Sequence, residues 1–185
     1  MITFKESQVN RFNAAAKLTA GLIFSTVFLA ACGGGGDDGN GGGGDPADVP
    51  LSQSPALVQQ YAAQLNNARA SSRNCGTVAM PAVPSLSKWN SKLQSAAQKH
   101  ADDMAANSFF SHTGSDGSTA DSREDAAGYS GIGIGENLAG ARGTPAAITN
   151  AWLNSQGHCI TVMSEEATTL AVAQKGQYTV LMTGK

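Results

Sequence analysis

Trp89-Asn90-Ser91-Lys92-Leu93-Gln94-Ser95-Ala96-Ala97-Gln98-Lys99-His100-Ala101-Asp102-Asp103-Met104 carries its apolar side chains at helical spacing. Trp89, Leu93, Ala96, Ala97, His100 and Met104 fall on one stripe, so the spacing predicts a helix over 90–107 with that stripe buried. Upstream, Ser54-Pro55 has the form of an N-cap followed by proline at the first helical position. Leu57, Val58, Tyr61, Ala62, Leu65 and Ala68 continue at the same period and predict a helix over 55–71. Downstream, Thr144-Pro145 repeats the cap and proline, and Ile148, Ala151, Trp152 and Ser155 predict a third long helix ending at Gly157. Residues 168–174 and 178–183 are β-prone segments around Lys175-Gly176, which reads as a hairpin. Between these signals, residues 108–143 hold eight glycines and read as loop with one short helix over 119–127, stopped by Gly128. Helices packed on a small antiparallel sheet, an α+β fold, satisfy this order of elements.

The chain has 185 residues, 41% of them hydrophobic and 6% aromatic, which suits one domain. The run from Gly33 to Gly44 has no apolar side chain to bury and reads as a spacer. Residues 51–185 remain to fold, long enough to bury a core, which excludes a miniprotein held by disulfides alone. The net charge is −2, and without Lys5, Glu6, Arg11 and Lys17 of the first 31 residues the remainder has an acidic excess of four. With no basic run after the spacer, binding to nucleic acid has no electrostatic basis.

Residues 1–17 carry three basic groups and 18–31 form a 14-residue apolar run, the two leading parts of a secretory signal and short for a membrane span. Leu29-Ala30-Ala31-Cys32 resembles the lipobox of a bacterial lipoprotein, in which the cysteine thiol accepts diacylglycerol. The expected organisation is a lipoprotein signal peptide over 1–31, a glycine-rich flexible tether over 32–50 and a folded domain over 51–185. The partner so implied is the membrane, through a lipid anchor on Cys32. Gly33, unlike Asp, does not resemble an inner-membrane retention signal, so a cell with two membranes would carry the protein on the outer one. The competing readings are an ordinary secretory signal or an uncleaved anchor with an incidental Cys32. A flexible tether of this length reaches about 20–25 Å.

With Cys32 acylated, Cys75 and Cys159 remain. In an oxidising compartment they favour a disulfide over free thiols or a metal pair, since neither has a second cysteine nearby in sequence. Closing a loop this long contributes up to about 4 kcal/mol.

Histidine is scarce: His100, His112 and His158. His100 lies on the apolar stripe and reads as a core histidine. His112 and His158 lie at loop–helix junctions, with Gly135-Glu136-Asn137-Leu138-Ala139 between them. Two imidazoles and the Glu136 carboxylate could hold zinc or another divalent metal with one position open, although by spacing alone hydrogen-bonded structural histidines are the default.

Four ordered blocks carry a family resemblance: Trp89 with His100-Ala101-Asp102-Asp103-Met104, Phe109-Phe110-Ser111-His112-Thr113-Gly114-Ser115-Asp116-Gly117, Gly135-Glu136-Asn137-Leu138-Ala139, and Trp152-Leu153-Asn154-Ser155-Gln156-Gly157-His158-Cys159. Over residues 55–183 the chain resembles the bacterial branch of the CAP superfamily, which comprises the cysteine-rich secretory proteins, antigen 5 and the pathogenesis-related proteins and is also known by its SCP domain. The resemblance implies a three-layer α-β-α sandwich, an antiparallel sheet with helices on both faces, and a surface cleft lined by histidines and acidic groups. It places His112 and Glu136 in that cleft and makes His158 the histidine of the bacterial Gly-His block. It also implies pairing of Cys75 with Cys159, as in a bacterial subgroup. The eukaryotic branch has a glutamate where this chain has Ser155, and a histidine where Gly176-Gln177-Tyr178-Thr179 has Gln177. By that pattern His158 would have to complete the cleft. The segment Ser164-Glu165-Glu166 is short for the family, which implies a trimmed C-terminal sheet.

Three classes of function follow. A binding module would use the His112, Glu136 and His158 cleft for a divalent metal, a lipid or an envelope ligand. Apolar loop residues Phe109, Phe110, Ile132 and Ile134 would border that cleft or simply close the core. A metal-dependent, peptidase-like hydrolase would use the same residues. Ser111 and Ser115 lack the Gly-x-Ser-x-Gly context of a serine nucleophile, so catalysis is the less favoured reading. The third class is a structural envelope lipoprotein without catalysis.

Overall fold

The computed structural model describes residues 45–185. The expected signal peptide, the expected lipid anchor on Cys32 and the expected tether up to Gly44 lie outside the described residues. In chain order the elements are β1 (Asp48–Pro50), a 3-10 turn (Leu51–Gln53), α1 (Ala56–Arg69), β2 (Arg73–Cys75), β3 (Val78–Met80), β4 (Lys88–Asn90) and α2 (Ser91–Asn107). They continue with α3 (Ala120–Ala126), β5 (Gly133–Ala139), α4 (Pro145–Leu153), α5 (Gln156–Val162), β6 (Thr169–Lys175) and β7 (Tyr178–Gly184).

Five strands form one sheet in the order β1-β4-β6-β7-β5. All neighbours are antiparallel except β4 and β6, which run parallel. The hairpin expected around Lys175-Gly176 supplies the central pair, and Gly176 turns it with φ +62°. Alternation along these strands builds two cores. Leu170, Val172 and Leu181 face α1, α4 and α5, packing with Val58, Tyr61, Leu65, Ile148, Trp152 and Val162. Ala171, Ala173, Val180 and Met182 face α2 and pack with Leu93, Ala97, Ala101 and Met104. Helices on both faces of the sheet make the three-layer α-β-α sandwich that the resemblance implies, with a sheet of five strands.

Local chemistry explains where elements begin. The side chain of Asn90 accepts from the amides of Lys92 and Leu93 and so starts α2. Thr144 accepts from the Ala147 amide with Pro145 behind it, and Thr119 and Ser122 close a capping box on α3. At α1 the expected Ser54 cap is absent. The Ser54 hydroxyl donates back to the Leu51 carbonyl, and the helix starts after Pro55.

Several expectations are corrected. Trp89 is not on the helix stripe; it sits in β4, packed against the first core. The third long helix is two helices that break at Asn154-Ser155, and Gly157 lies in the first turn of α5 instead of ending a helix. The stretch 108–143 is not all loop, since it contains the seven-residue edge strand β5. The expected bound of the tether at Pro50 is too late, because residues 45–50 belong to the folded domain. Asp45 is buried and accepts from the Ser130 amide (2.6 Å), the Ser130 hydroxyl (2.9 Å), the Ala47 amide (2.7 Å) and the Lys92 ammonium (3.3 Å), and β1 pairs with β4.

Two long-range fastenings hold the α1 and α5 side of the sheet, the first of them in a small cluster of its own with Val83 and Met163. Cys75 and Cys159 form a fully buried disulfide. Arg69, also fully buried, donates to the carbonyls of Pro84 (2.8 Å), Val162 (2.7 Å), Ser164 (2.9 Å) and Ala167 (3.0 Å), tying α1 to the segment between α5 and β6. A planar fork with five N–H groups suits this carbonyl cage; a lysine would not.

Candidate functional site

β5 brings Glu136 to the edge of the sheet, opposite Met182 of β7. Gly135 beside it is needed because a Cβ there would lie 2.7 Å from the Thr161 methyl of α5. The Glu136 side chain is only 3% exposed and is gripped at both oxygens. Oε1 lies 2.7 Å from His112 Nδ1, and Oε2 accepts from Arg123 Nη2 at 2.7 Å. Arg123, whose side chain is 1% exposed, also donates to the carbonyls of Ser118 (3.0 Å) and His112 (3.2 Å). It therefore fixes the backbone of the loop that presents the imidazole. The His112 side chain itself is 60% exposed.

An ionised carboxylate only accepts, so the His112 proton belongs on Nδ1 and Nε2 is left as a free acceptor or metal ligand. Two of the three expected site residues are thus brought into direct contact. His158, in the first turn of α5, is half-buried. Burial, and secondarily the nearby His112, hold its pKa below the ordinary histidine value. Its backbone carbonyl accepts from Asn137 Nδ2 at 3.0 Å, which links α5 to β5.

Arg123 is the residue that sequence reasoning missed. Its one signal is isolation: it is the sole lysine or arginine between Lys99 and Arg142. The short polar helix around it shows no period that would mark a buried face.

The expected three-ligand metal set meets a specific obstacle. Both Glu136 oxygens already accept a hydrogen bond, one of them from a buried cation, which competes with a metal for the carboxylate. Among the described residues no group of three or more His, Cys, Asp or Glu is arranged to hold a metal ion. The donors that remain are the two imidazoles.

Other residues have structural places. His100 is buried with Nε2 at 2.9 Å from the Ser111 carbonyl, as the core reading expects, and burial holds its pKa below the ordinary value. Ser111 Oγ accepts from the Thr113 amide, and Ser115 Oγ donates to Asp103, so neither hydroxyl pairs with His112. Ser155 precedes α5 without a capping bond, and Gln177 is exposed in the hairpin turn. Phe109 and Ile134 pack on the cores, whereas Phe110 and Ile132 are exposed. Glu124, buried on α3, has its carboxyl pushed up to about 7 by burial and by the surrounding charges of Asp121, Glu136 and Asp125.

The model of the cysteine-rich secretory protein family (CAP) matches residues 58–180. The chain belongs to the CAP family. Among solved structures, an extracellular SCP-domain protein from Bacillus anthracis is similar to this CAP chain at 27% identity with a TM-score of 0.50. That likeness covers 56% of this chain and 34% of the other, so the chain spans about a third of that protein's length. An outer surface protein of Borrelia burgdorferi is similar at 22% identity and TM-score 0.48, over 52% of this chain and 75% of that one. Comparison with curated proteins gives no match.

Proposed function

We propose that this CAP domain is an extracytoplasmic binding module, lipid-anchored through Cys32, that takes a polar envelope ligand or a divalent cation on the His112 imidazole. One observation carries the reading: a buried carboxylate, itself fixed by a buried guanidinium, grips Nδ1 of an exposed imidazole. A buried ion pair spent on setting one tautomer suits a site that coordinates or accepts a hydrogen bond through Nε2. His158, biased toward its neutral form, adds a second imidazole. Zinc or another divalent ion would use these two rings and leave its other positions to water or ligand. The disulfide, the apolar leader and the extracellular character of the Bacillus anthracis protein support a place outside the cytoplasm. Binding is favoured over hydrolysis because neither nearby serine is paired with His112.

The test is thermal unfolding of the disulfide-bonded domain with zinc. At a hundredfold excess over Kd, binding adds about 2.7 kcal/mol, on the order of 10 °C. His112→Ala and His158→Ala each remove that shift. A wild-type melting temperature indifferent to zinc overturns the cation reading. Fatty-acid labelling of cells, abolished by Cys32→Ser, tests the anchor; labelling that persists in the variant contradicts it.

A further inference from the structure

We infer that Phe110 and Tyr178 form a stacking shelf for a neutral pyranose ring, so that the ligand of this module is a glycan; the inference rests on the binding reading above. Phe110 is 55% exposed, yet its ring is seated. Its ring lies nearly parallel to Tyr178, with centroids 6.3 Å apart and planes at 22°. On another side it closes on Gly140, where a Cβ would meet ring atoms at 3.1 and 3.2 Å. Glycine there lets the ring approach the backbone. The result is an exposed Phe110 ring seated on a half-buried Tyr178, next in the chain to Ser111 and His112.

Three observations choose the occupant. Among the described residues the other large apolar residue more than half exposed, Ile132 at 57%, stands before β5, whereas Gly140 follows its far end. A seven-residue strand puts roughly 20 Å between them, so they do not form one lipid-binding patch. Two aromatic rings offer at most about 150–250 Å² each, well short of the roughly 800 Å² per partner that a stable protein interface buries. The charge beside the shelf is balanced: Lys175 stands opposite Tyr178 in the hairpin, and its ammonium is matched by Asp102 at 3.9 Å. A small, uncharged, amphipathic ligand fits. The C–H face of a pyranose would lie on the rings, with its hydroxyls toward Gln177 and Lys175, both exposed.

The experiment follows the aromatic side-chain NMR signals of the disulfide-bonded domain. The probes are tetrasaccharides of β-1,4-linked N-acetylglucosamine, β-1,4-linked glucose and α-1,4-linked glucose, with phosphatidylcholine bicelles in parallel. At least one tetrasaccharide shifts the Phe110 and Tyr178 rings, and its affinity falls at least about tenfold in Phe110→Ala, an exposed position where the fold persists. Ring shifts that survive in His112→Ala, together with a zinc response that is absent from wild type, leave the shelf standing while the cation reading fails. No response to any tetrasaccharide, equal affinity in Phe110→Ala, or rings that respond to bicelles alone overturn the proposal.

Discussion

Replacing Arg123 with Met tests the electrostatic frame of the site. The guanidinium is 1% exposed and the Glu136 carboxylate 3%, and they meet at 2.7 Å. Bulk water therefore does little to screen either group once the other is gone. Met fills much of the same volume but donates nothing, so Glu136 is left buried with His112 as its one partner, and the carbonyls of Ser118 and His112 lose their donors. Breaking a buried pair from one side costs about 3–5 kcal/mol. Against a total stability of roughly 5–15 kcal/mol, this is a large share. In urea, with a slope of about 2 kcal/mol per molar, the midpoint falls by roughly 2 M. Neutralising the stranded partner reverses much of the loss, so Arg123→Met with Glu136→Gln is more stable than Arg123→Met alone by about 2 kcal/mol. A single variant that loses less than about 1 kcal/mol, or a double variant that merely adds the two losses, would refute the buried-pair reasoning.

Glu124 gives a pH signature. Its folded pKa of about 7 lies above the ordinary carboxyl value of 4.5, so the folded state binds the extra proton between these limits. Its contribution to stability is fully present below pH 4.5 and is lost as pH rises through 7; Glu124→Gln makes the domain more stable at pH 8 by about 2–3 kcal/mol and flattens that window, read by urea unfolding at pH 5 and 8. Arg69→Lys leaves several of four buried carbonyls without donors and costs about 3–5 kcal/mol in the same assay, whereas a surface-like loss below 1 kcal/mol contradicts the clamp. Reducing the Cys75–Cys159 bridge costs about 2–4 kcal/mol and lowers amide-exchange protection of α5, with the Cys159 amide, bonded to the Ser155 carbonyl, among the first to exchange. Asp45→Ala lowers the melting temperature, by a cost of about 1–3 kcal/mol, if the segment before β1 is anchored as the Ser130 and Lys92 contacts indicate; an unchanged temperature would return residues 45–50 to the tether.

Elements whose ends are written in local chemistry were legible. Thr144-Pro145 announces a helix start and Gly176 a turn through their own hydrogen bonds or backbone freedom, while the caps at Asn90 and Thr119 are shown by the structure. Where neighbours in space decide, the sequence is silent. Gly133-Ile134-Gly135-Glu136 has the glycine content of a loop, and it becomes an edge strand because β7 offers it a ladder, with an irregular register between Gly133 and Gly135. Gly157 has the look of a helix stop but sits inside α5, whose position is held by the disulfide at Cys159. That His112 and Glu136 share a cleft followed from the family blocks and not from their separation of 24 residues, and their direct hydrogen bond is given by the structure alone. Asp45 and Arg123 carry no apolar period at all; both are buried because other segments supply their partners.

The site stands on the carboxylate of Glu136 setting the His112 tautomer, and long-range ¹H–¹⁵N correlation spectra of the histidine rings read that directly. The neutral ring of His112 carries its proton on Nδ1 in the wild type and reverts toward the Nε2–H form in Glu136→Leu. A wild-type His112 protonated on Nε2 would mean that Glu136 does not hold the ring and that no free acceptor is presented to a ligand.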